Sequence, residues 1–333
     1  MKTIVIFGAT GTVGTYTSLF LKEKGYNVIA VGKRNNDNNF FNNYDIKYYS
    51  LDITNLNDFD KLPLENVNSV IHLAGIKPSA MKDYMPKLYI DSILNGTFNV
   101  LTYCLNAKVE KIIFSHSRAD SNYLMGKKPI PSDIIKKFPL TGDHSIYTIC
   151  KNAAVDLLEH FYHQYGLKRF ILRLPTIYAY HPNLYFYVNG EKKMMAYRFI
   201  IEQAIKGETI EIWGDPTKAK EIVYVKDLIQ IIEKCIESPL DGGMYNVGRG
   251  VGITLDEQIK GIVNVFSNPY KKSDIIYRPD MPNAREFVND ISKTQAELSY
   301  HSLYSYHDLL IDYKKHLEEE PYKLLWGSKT NYT

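Results

Sequence analysis

Short apolar, β-branched runs recur at residues 3–7, 27–31, 46–50, 69–73, 111–115 and 169–174, and helical patterns separate most of them. That alternation predicts a parallel sheet. Runs that are apolar throughout, such as Ile4-Val5-Ile6-Phe7, predict that helices cover both of its faces. After the fourth run Leu94, Phe98, Leu101 and Leu105 recur at helical spacing and are expected to pack together on the sheet. The rhythm breaks after Leu174, where residues 175–214 are rich in Tyr, Pro and Asn before a helix expected at 197–205. An apolar run at 222–225, a helix to Glu237 and a strand at 244–247 predict a return to the sheet. The expected fold class is α/β, a doubly wound parallel sheet with a smaller α/β lobe.

The chain's 333 residues exceed one typical core, in keeping with two lobes and a cleft between them. A hydrophobic fraction of 45% and a charged fraction of 23% are those of a globular protein, and no apolar run reaches the roughly 18 residues of a membrane span. Met1-Lys2-Thr3 leads straight into a four-residue apolar run, too short for a signal peptide, so a cytoplasmic protein is expected. A net charge of +3 excludes a nucleic-acid surface read from bulk charge. Cys104, Cys150 and Cys235 form no C-x-x-C, so neither a disulfide framework nor a metal site is expected. The Asn-rich stretch 35–43 reads as a mobile surface loop.

Gly8-Ala9-Thr10-Gly11-Thr12-Val13-Gly14 lies between the first strand and a helix with a stop signal at Gly25. Glycines there let the backbone approach a pyrophosphate, which rests on the free N–H groups of the helix start. The sheet is therefore expected to be a Rossmann domain, with Gly8, Thr10, Gly11, Thr12 and Val13 at a dinucleotide. Gly32 stands where an NAD enzyme usually places an acid, and Lys33 and Arg34 follow, which favours NADP over NAD. Asp52 and Ile53 are expected at the adenine; Leu73, Ala74, Gly75 and Pro175 complete the cofactor set.

Tyr147 and Lys151 are four residues apart in a helical stretch and so share one face. A nearby ammonium makes a phenol a better base, and such a phenol can exchange a proton with a sugar hydroxyl while hydride moves to or from a nicotinamide. Ser117, just past the fifth strand, is placed to hold the reacting oxygen. Ser117, Tyr147 and Lys151 form the candidate catalytic set.

With these motifs the sequence resembles the extended short-chain dehydrogenase/reductases, in particular the nucleotide-sugar epimerase/dehydratase family. His72-Leu73-Ala74-Gly75-Ile76-Lys77 resembles the segment in UDP-glucose 4-epimerases whose lysine reaches the cofactor, which implies that role for Lys77. Phe114-Ser115-His116-Ser117 and Tyr245-Asn246-Val247-Gly248 also match. Lys220-Glu221-Ile222-Val223-Tyr224-Val225-Lys226-Asp227 resembles a family signature with lysine in the arginine's place. The resemblance implies a Rossmann domain of residues 1–174 with 221–248, and a substrate-binding lobe of 175–220 and 249–333. It further implies a nucleotide-sugar substrate, a homodimer packed through the helices after the fourth and fifth strands, and a diphosphate held by Lys220 and an arginine among Arg249, Arg278 and Arg285.

There are departures from the family pattern. Ile93 and Thr176 stand where asparagines are usual, and Arg118-Ala119 stands where the 4,6-dehydratases carry an Asp-Glu pair, which argues against dehydration. Cys150 and the loop residue His181, expected to be exposed, are read as bystanders rather than extra acids or bases. The functions in view are an NAD(P)-dependent 4-epimerase, an NADPH-dependent keto-sugar reductase and a non-catalytic dinucleotide sensor. The segment around Lys77 favours the epimerase.

Overall fold

Successive side chains of a strand point to opposite faces of its sheet, and β1 (Thr3–Phe7) shows the result. Ile4 and Ile6 belong to one buried cluster, Val5 and Phe7 to another. The computed structural model describes residues 1–126, 129–188 and 190–332. It sets β1 near the centre of a seven-stranded sheet with β2 (Asn27–Gly32), β3 (Lys47–Ser50), β4 (Ser69–His72), β5 (Lys111–Ser117), β6 (Lys168–Leu174) and β7 (Gly242–Asn246). The order is β7-β6-β5-β4-β1-β2-β3, with every neighbouring pair parallel. The chain reverses direction of travel between β1 and β4, and such a switch point opens a crevice at the carboxyl ends of the strands.

Helix α1 (Thr12–Glu23) packs Leu21 into the Ile4 cluster, while α2 (Gly96–Asn106) and α3 (Asp143–Tyr165) bring Val100, Leu101, Val155 and Leu158 to the other face. Further along, α4 (Ala196–Lys206) is followed by α5 (Val225–Glu237), which returns to lie beside α1. Helix α6 (Leu255–Phe266) packs with α4 on one side and with α7 (Tyr306–Glu319) on another. Among the described residues, no helix is long and apolar enough to cross a membrane.

Three expectations change. The run at 222–225 does not enter the central sheet: its two-residue strand Val223–Tyr224 pairs with Ile177–Tyr178, and only β7 joins the edge beside β6. Phe98 faces solvent rather than the sheet, because a π-helical turn at Ile90–Asn95 adds a residue and rotates the buried face of α2 to Thr97, Val100, Leu101 and Cys104. Leu309, Tyr313, Leu325 and Trp326, from the C-terminal part of the chain, belong to the same buried cluster as Ile4 and Ile6.

The Asn-rich stretch is anchored rather than loose. Phe40 and Phe41 are buried in the core, Asp37 accepts the Phe41 amide at 2.9 Å, and Asn38 and Asn39 take the left-handed backbone that asparagine tolerates well. Phe41→Ala is therefore expected to lower stability by about 3–5 kcal/mol in urea unfolding. A loss under about 1 kcal/mol would return this stretch to the status of a surface loop.

Candidate active site

The Gly-rich turn is shaped by close approach of backbones. Gly8 has φ +86°, and a Cβ on it would lie 2.7 Å from the Ala74 nitrogen; one on Gly14 would lie 2.1 Å from the Gly8 oxygen. Glycine at both positions lets the ends of β1 and β4 meet, which brings Gly8, Leu73 and Ala74 to one edge of the crevice. Gly11 precedes α1 without a side-chain cap, so the first N–H groups of the helix, those of Thr12 and Val13, have no intrahelical acceptor. Such a helix start suits an anion. Thr10 rests against Gly32, where a Cβ would lie 2.9 Å from the Thr10 side chain.

The cations that favoured NADP are engaged elsewhere. Lys33 pairs with Asp52 at 2.7 Å, and Arg34 donates to the Leu325 carbonyl at 2.5 Å. Burial raises the pKa of Asp52, but hydrogen bonds from Lys33 and Thr54 outweigh it and hold the carboxyl below its usual value. Asn38 donates to the Leu324 carbonyl at 2.9 Å and the Trp326 indole to the Thr10 carbonyl at 3.0 Å. The C-terminal segment thus closes over the loop after β2, where Lys33 and Arg34 each have a partner. Ile53 is buried, with its carbonyl accepting from Asn99 at 2.9 Å.

The Lys77 side chain is exposed, while the protein around it, and then Arg198, lowers its pKa. No carboxylate pairs with it among the described residues. His181 is half-buried rather than exposed: its ring lies 4.5 Å from that of Trp326, and its Nδ1 accepts the Asn183 amide at 3.0 Å. Burial, with Arg198, Lys77 and Arg34 nearby, pushes it down to about 3, so the ring is neutral at physiological pH. Cys150 is buried and its thiol is raised by that burial.

Helix α3 carries Tyr147 and Lys151 to the end of β5. The Lys151 ammonium, fully buried over the Phe114 ring at 4.6 Å, donates to the Ser115 carbonyl at 2.6 Å. Ser117 accepts the Ala119 amide at 3.2 Å, and its side chain acts on the Tyr147 phenol, lowering its pKa. The three expected catalytic residues are therefore together. Burial raises the phenol's pKa and the Ser117 side chain opposes it only in part, so Tyr147 is protonated at neutral pH.

On the other wall Arg118, which sequence reasoning noted only as the absence of an acid, stacks on Phe287 with its guanidinium carbon 3.9 Å from the ring centroid. Its chain adjacency to Ser117 was the signal that could have found it. Lys220 is bridged to Phe287 through the backbone, and Arg285 stands two residues before that ring. Arg118 interacts with the charges of both Arg285 and Lys220. Burial and then Arg285 push Arg118 down to about 10. Arg278 does not join them, being held on the surface by Glu211 at 3.0 Å and Asp280 at 2.9 Å. Arg249 donates its side chain to Ser302 at 3.1 Å. Pro175 is buried and Thr176 exposed just after β6; Ile93 is buried beside Gly75.

The sequence matches the NAD dependent epimerase/dehydratase family over residues 4–248. The chain belongs to that family. It is 26% identical to a UDP-glucuronate 4-epimerase of Thermodesulfobacterium geofontis over 314 residues, which covers 89% of this chain and 87% of the relative. Its fold matches a UDP-glucose 4-epimerase of Thermotoga maritima solved with UDP-glucose, with a TM-score of 0.76, 22% identity, and coverage of 96% of this chain and 99% of that one. It also matches a UDP-glucuronic acid 4-epimerase of Bacillus cereus in complex with UDP-glucuronic acid and NAD, with a TM-score of 0.71, 21% identity, and coverage of 95% and 99%. The family is one of enzymes acting on sugar nucleotides, and the seven-stranded parallel sheet is its Rossmann fold.

Within this family member Lys151 makes its own pH signature. Burial pushes it down to about 7 from an unfolded value of 10.5. Below the folded value both states hold the proton; between the two values only the unfolded chain does, so this group adds stability as pH rises. Between about pH 6 and pH 9, the protein without cofactor is expected to gain roughly 2–3 kcal/mol relative to Lys151→Met in urea unfolding. A gap that stays constant with pH would mean that the ammonium is not buried as described.

Proposed function

We propose that this protein is an NAD-dependent nucleotide-sugar 4-epimerase, working at the crevice where the Gly-rich turn meets the Ser117, Tyr147 and Lys151 set. The observation that carries the reading is the gathering of Ser117, at the end of β5, with Tyr147 and Lys151 on a helix that the Lys151 bond to Ser115 ties to that strand. The uncapped start of α1, the backbone approach at Gly8 and the unpaired Lys77 fit a dinucleotide pyrophosphate. When bound, NAD supplies a hydride acceptor that can return the hydride to either face of the sugar.

The residues of this chain then divide the proton work. Ser117 holds the sugar oxygen at the reacting carbon, and Tyr147 takes its proton in one direction and gives it back in the other. The resting phenol is protonated, so it must ionise before it serves as a base; Lys151, one helical turn on, is the cation available to favour that state. Lys220 and Arg285 hold the substrate diphosphate.

NAD rather than NADP is the cofactor of this reading, because Lys33 and Arg34 are held by Asp52 and Leu325. The keto-sugar reductase reading drew on those same two cations and loses that support. Arg118-Ala119 after Ser117 leaves no carboxyl acid there for dehydration. In this proposal residues 1–174 with 221–248 bind the dinucleotide, and 175–220 with 249–333 select the sugar. Two copies pack through α2 and α3, where Phe98, Ile149 and Tyr165 are exposed. The three similar proteins described above act by name on UDP-glucose or UDP-glucuronate, so the nucleoside is taken as uridine.

Two measurements test the reading. Tyr147→Phe is expected to lose on the order of 10²- to 10⁴-fold in epimerisation of UDP-sugars while still binding NAD; undiminished turnover would remove Tyr147 from the chemistry. The purified protein is expected to bind NADH more tightly than NADPH in fluorescence titration, and tighter NADPH binding would revive the reductase.

A further inference from the structure

The carboxyl ends of three neighbouring strands each carry a polar side chain that the chemistry above leaves unused: His116 on β5, Arg173 on β6 and Asn246 on β7. All three are buried, and so is Asp120, in the turn that follows Ser117. They form one network. His116 Nε2 lies 3.0 Å from the Asp120 carboxylate, and Arg173 reaches the same carboxylate with its Nε at 3.3 Å and a terminal nitrogen at 3.4 Å. Arg173 also donates to the Ser132 carbonyl at 2.6 Å and to the Asn246 side chain at 3.2 Å. The Asn246 side chain in turn donates to the carbonyls of Ile130 at 2.8 Å and Asp290 at 3.0 Å.

This network closes around Ser117. His116 and Asp120 flank it in the chain, and their side-chain contact draws residues 116–120 into a loop pinned at both ends. Inside that loop the Ser117 oxygen accepts the Ala119 amide, so its own turn occupies one of its acceptor positions and the single hydroxyl proton is left to point elsewhere. In the parallel register of β5 and β6, Arg173 lies opposite His116 and Leu174 opposite Ser117, so a shift of the strand end would part Arg173 from Asp120.

We propose that Asp120 is a positioning residue for the reaction: gripped by His116 and Arg173, it fixes the turn that aims the Ser117 hydroxyl at the sugar oxygen. The inference rests on the 4-epimerase reading, in which Ser117 holds that oxygen. Stability alone gives little reason for the arrangement. Desolvating a carboxylate and a guanidinium offsets much of their attraction, and apolar side chains of the same volume would hold the strand ends as well. Directional bonds in a buried network add a single geometry. His116 is neutral here, because burial lowers its pKa and its Nδ1 has no hydrogen-bond partner among the described residues. Arg173 therefore answers the charge of Asp120, and the imidazole acts as a directional donor.

The test is a double-mutant cycle read in kcat, with UDP-glucose and UDP-glucuronate as substrates of the NAD-loaded protein. Asp120→Asn keeps the size and one acceptor but drops the charge that Arg173 grips. It is expected to lower kcat by about tenfold to a hundredfold while KM and NAD affinity change little. In a Ser117→Ala background the same substitution is expected to change kcat by less than about twofold, because the group it positions is gone. Should the Asp120→Asn protein not fold, His116→Leu carries the same cycle: it removes one grip on Asp120, leaves the ion pair with Arg173, and is expected to lower kcat by a smaller factor, again only with Ser117 present. Losses of equal size with and without the Ser117 hydroxyl would make the network a structural support alone and overturn the proposal. So would undiminished kcat in both variants, with the epimerase reading left standing. A wild type that epimerises neither sugar would overturn the proposal and that reading together.

Discussion

The bond from the buried Lys151 ammonium to the Ser115 carbonyl ties helix α3 to the carboxyl end of β5, and the rest of the site takes its geometry from that tie. A charge in that position is tolerable only because a backbone oxygen and the Phe114 ring face it. With the helix fixed there, Tyr147 one turn earlier has to lie beside Ser117, which the strand end itself carries. The lysine is thus at once a strain on the fold and the element that brings the Tyr147 phenol to the strand end that carries Ser117.

A second constraint acts from the other end of the crevice. Gly8 against Ala74 and Gly14 against Gly8 leave no room for side chains, so β1, β4 and α1 converge on one point with the free amides of the helix start around it. The C-terminal segment locks this arrangement from outside, through Trp326 on Thr10 and Leu325 on Arg34. The same contacts engage Arg34, so the loop after β2 is held by residues about three hundred positions further along the chain.

What could be read from the sequence was what local pattern dictates. Strand runs, the Gly-rich turn and the four-residue spacing of Tyr147 and Lys151 are short-range features, and the sheet assembled them as their order implied. What could not be read depended on distant contacts. Nothing near Lys33 or Arg34 announces Leu325; nothing near Asn35 announces that Phe40 and Phe41 reach the core. The π-helical turn before α2 shifted a helical face by one residue, enough to expose Phe98 against the expected pattern. Val223–Tyr224 had strand composition but found its partner in Ile177–Tyr178, a choice that composition does not encode. Arg118 was visible beside Ser117, yet its significance lies in Phe287, Lys220 and Arg285, which the chain brings to it only on folding.

The central claim is that hydride leaves the sugar and returns to it within one closed site. A UDP-sugar carrying deuterium at C4 tests this directly, with the product epimer analysed by mass spectrometry. The expected result is an epimer that keeps its deuterium at C4 with no net formation of NADH. Loss of the label to solvent, or reduced cofactor accumulating in step with product, would contradict the account.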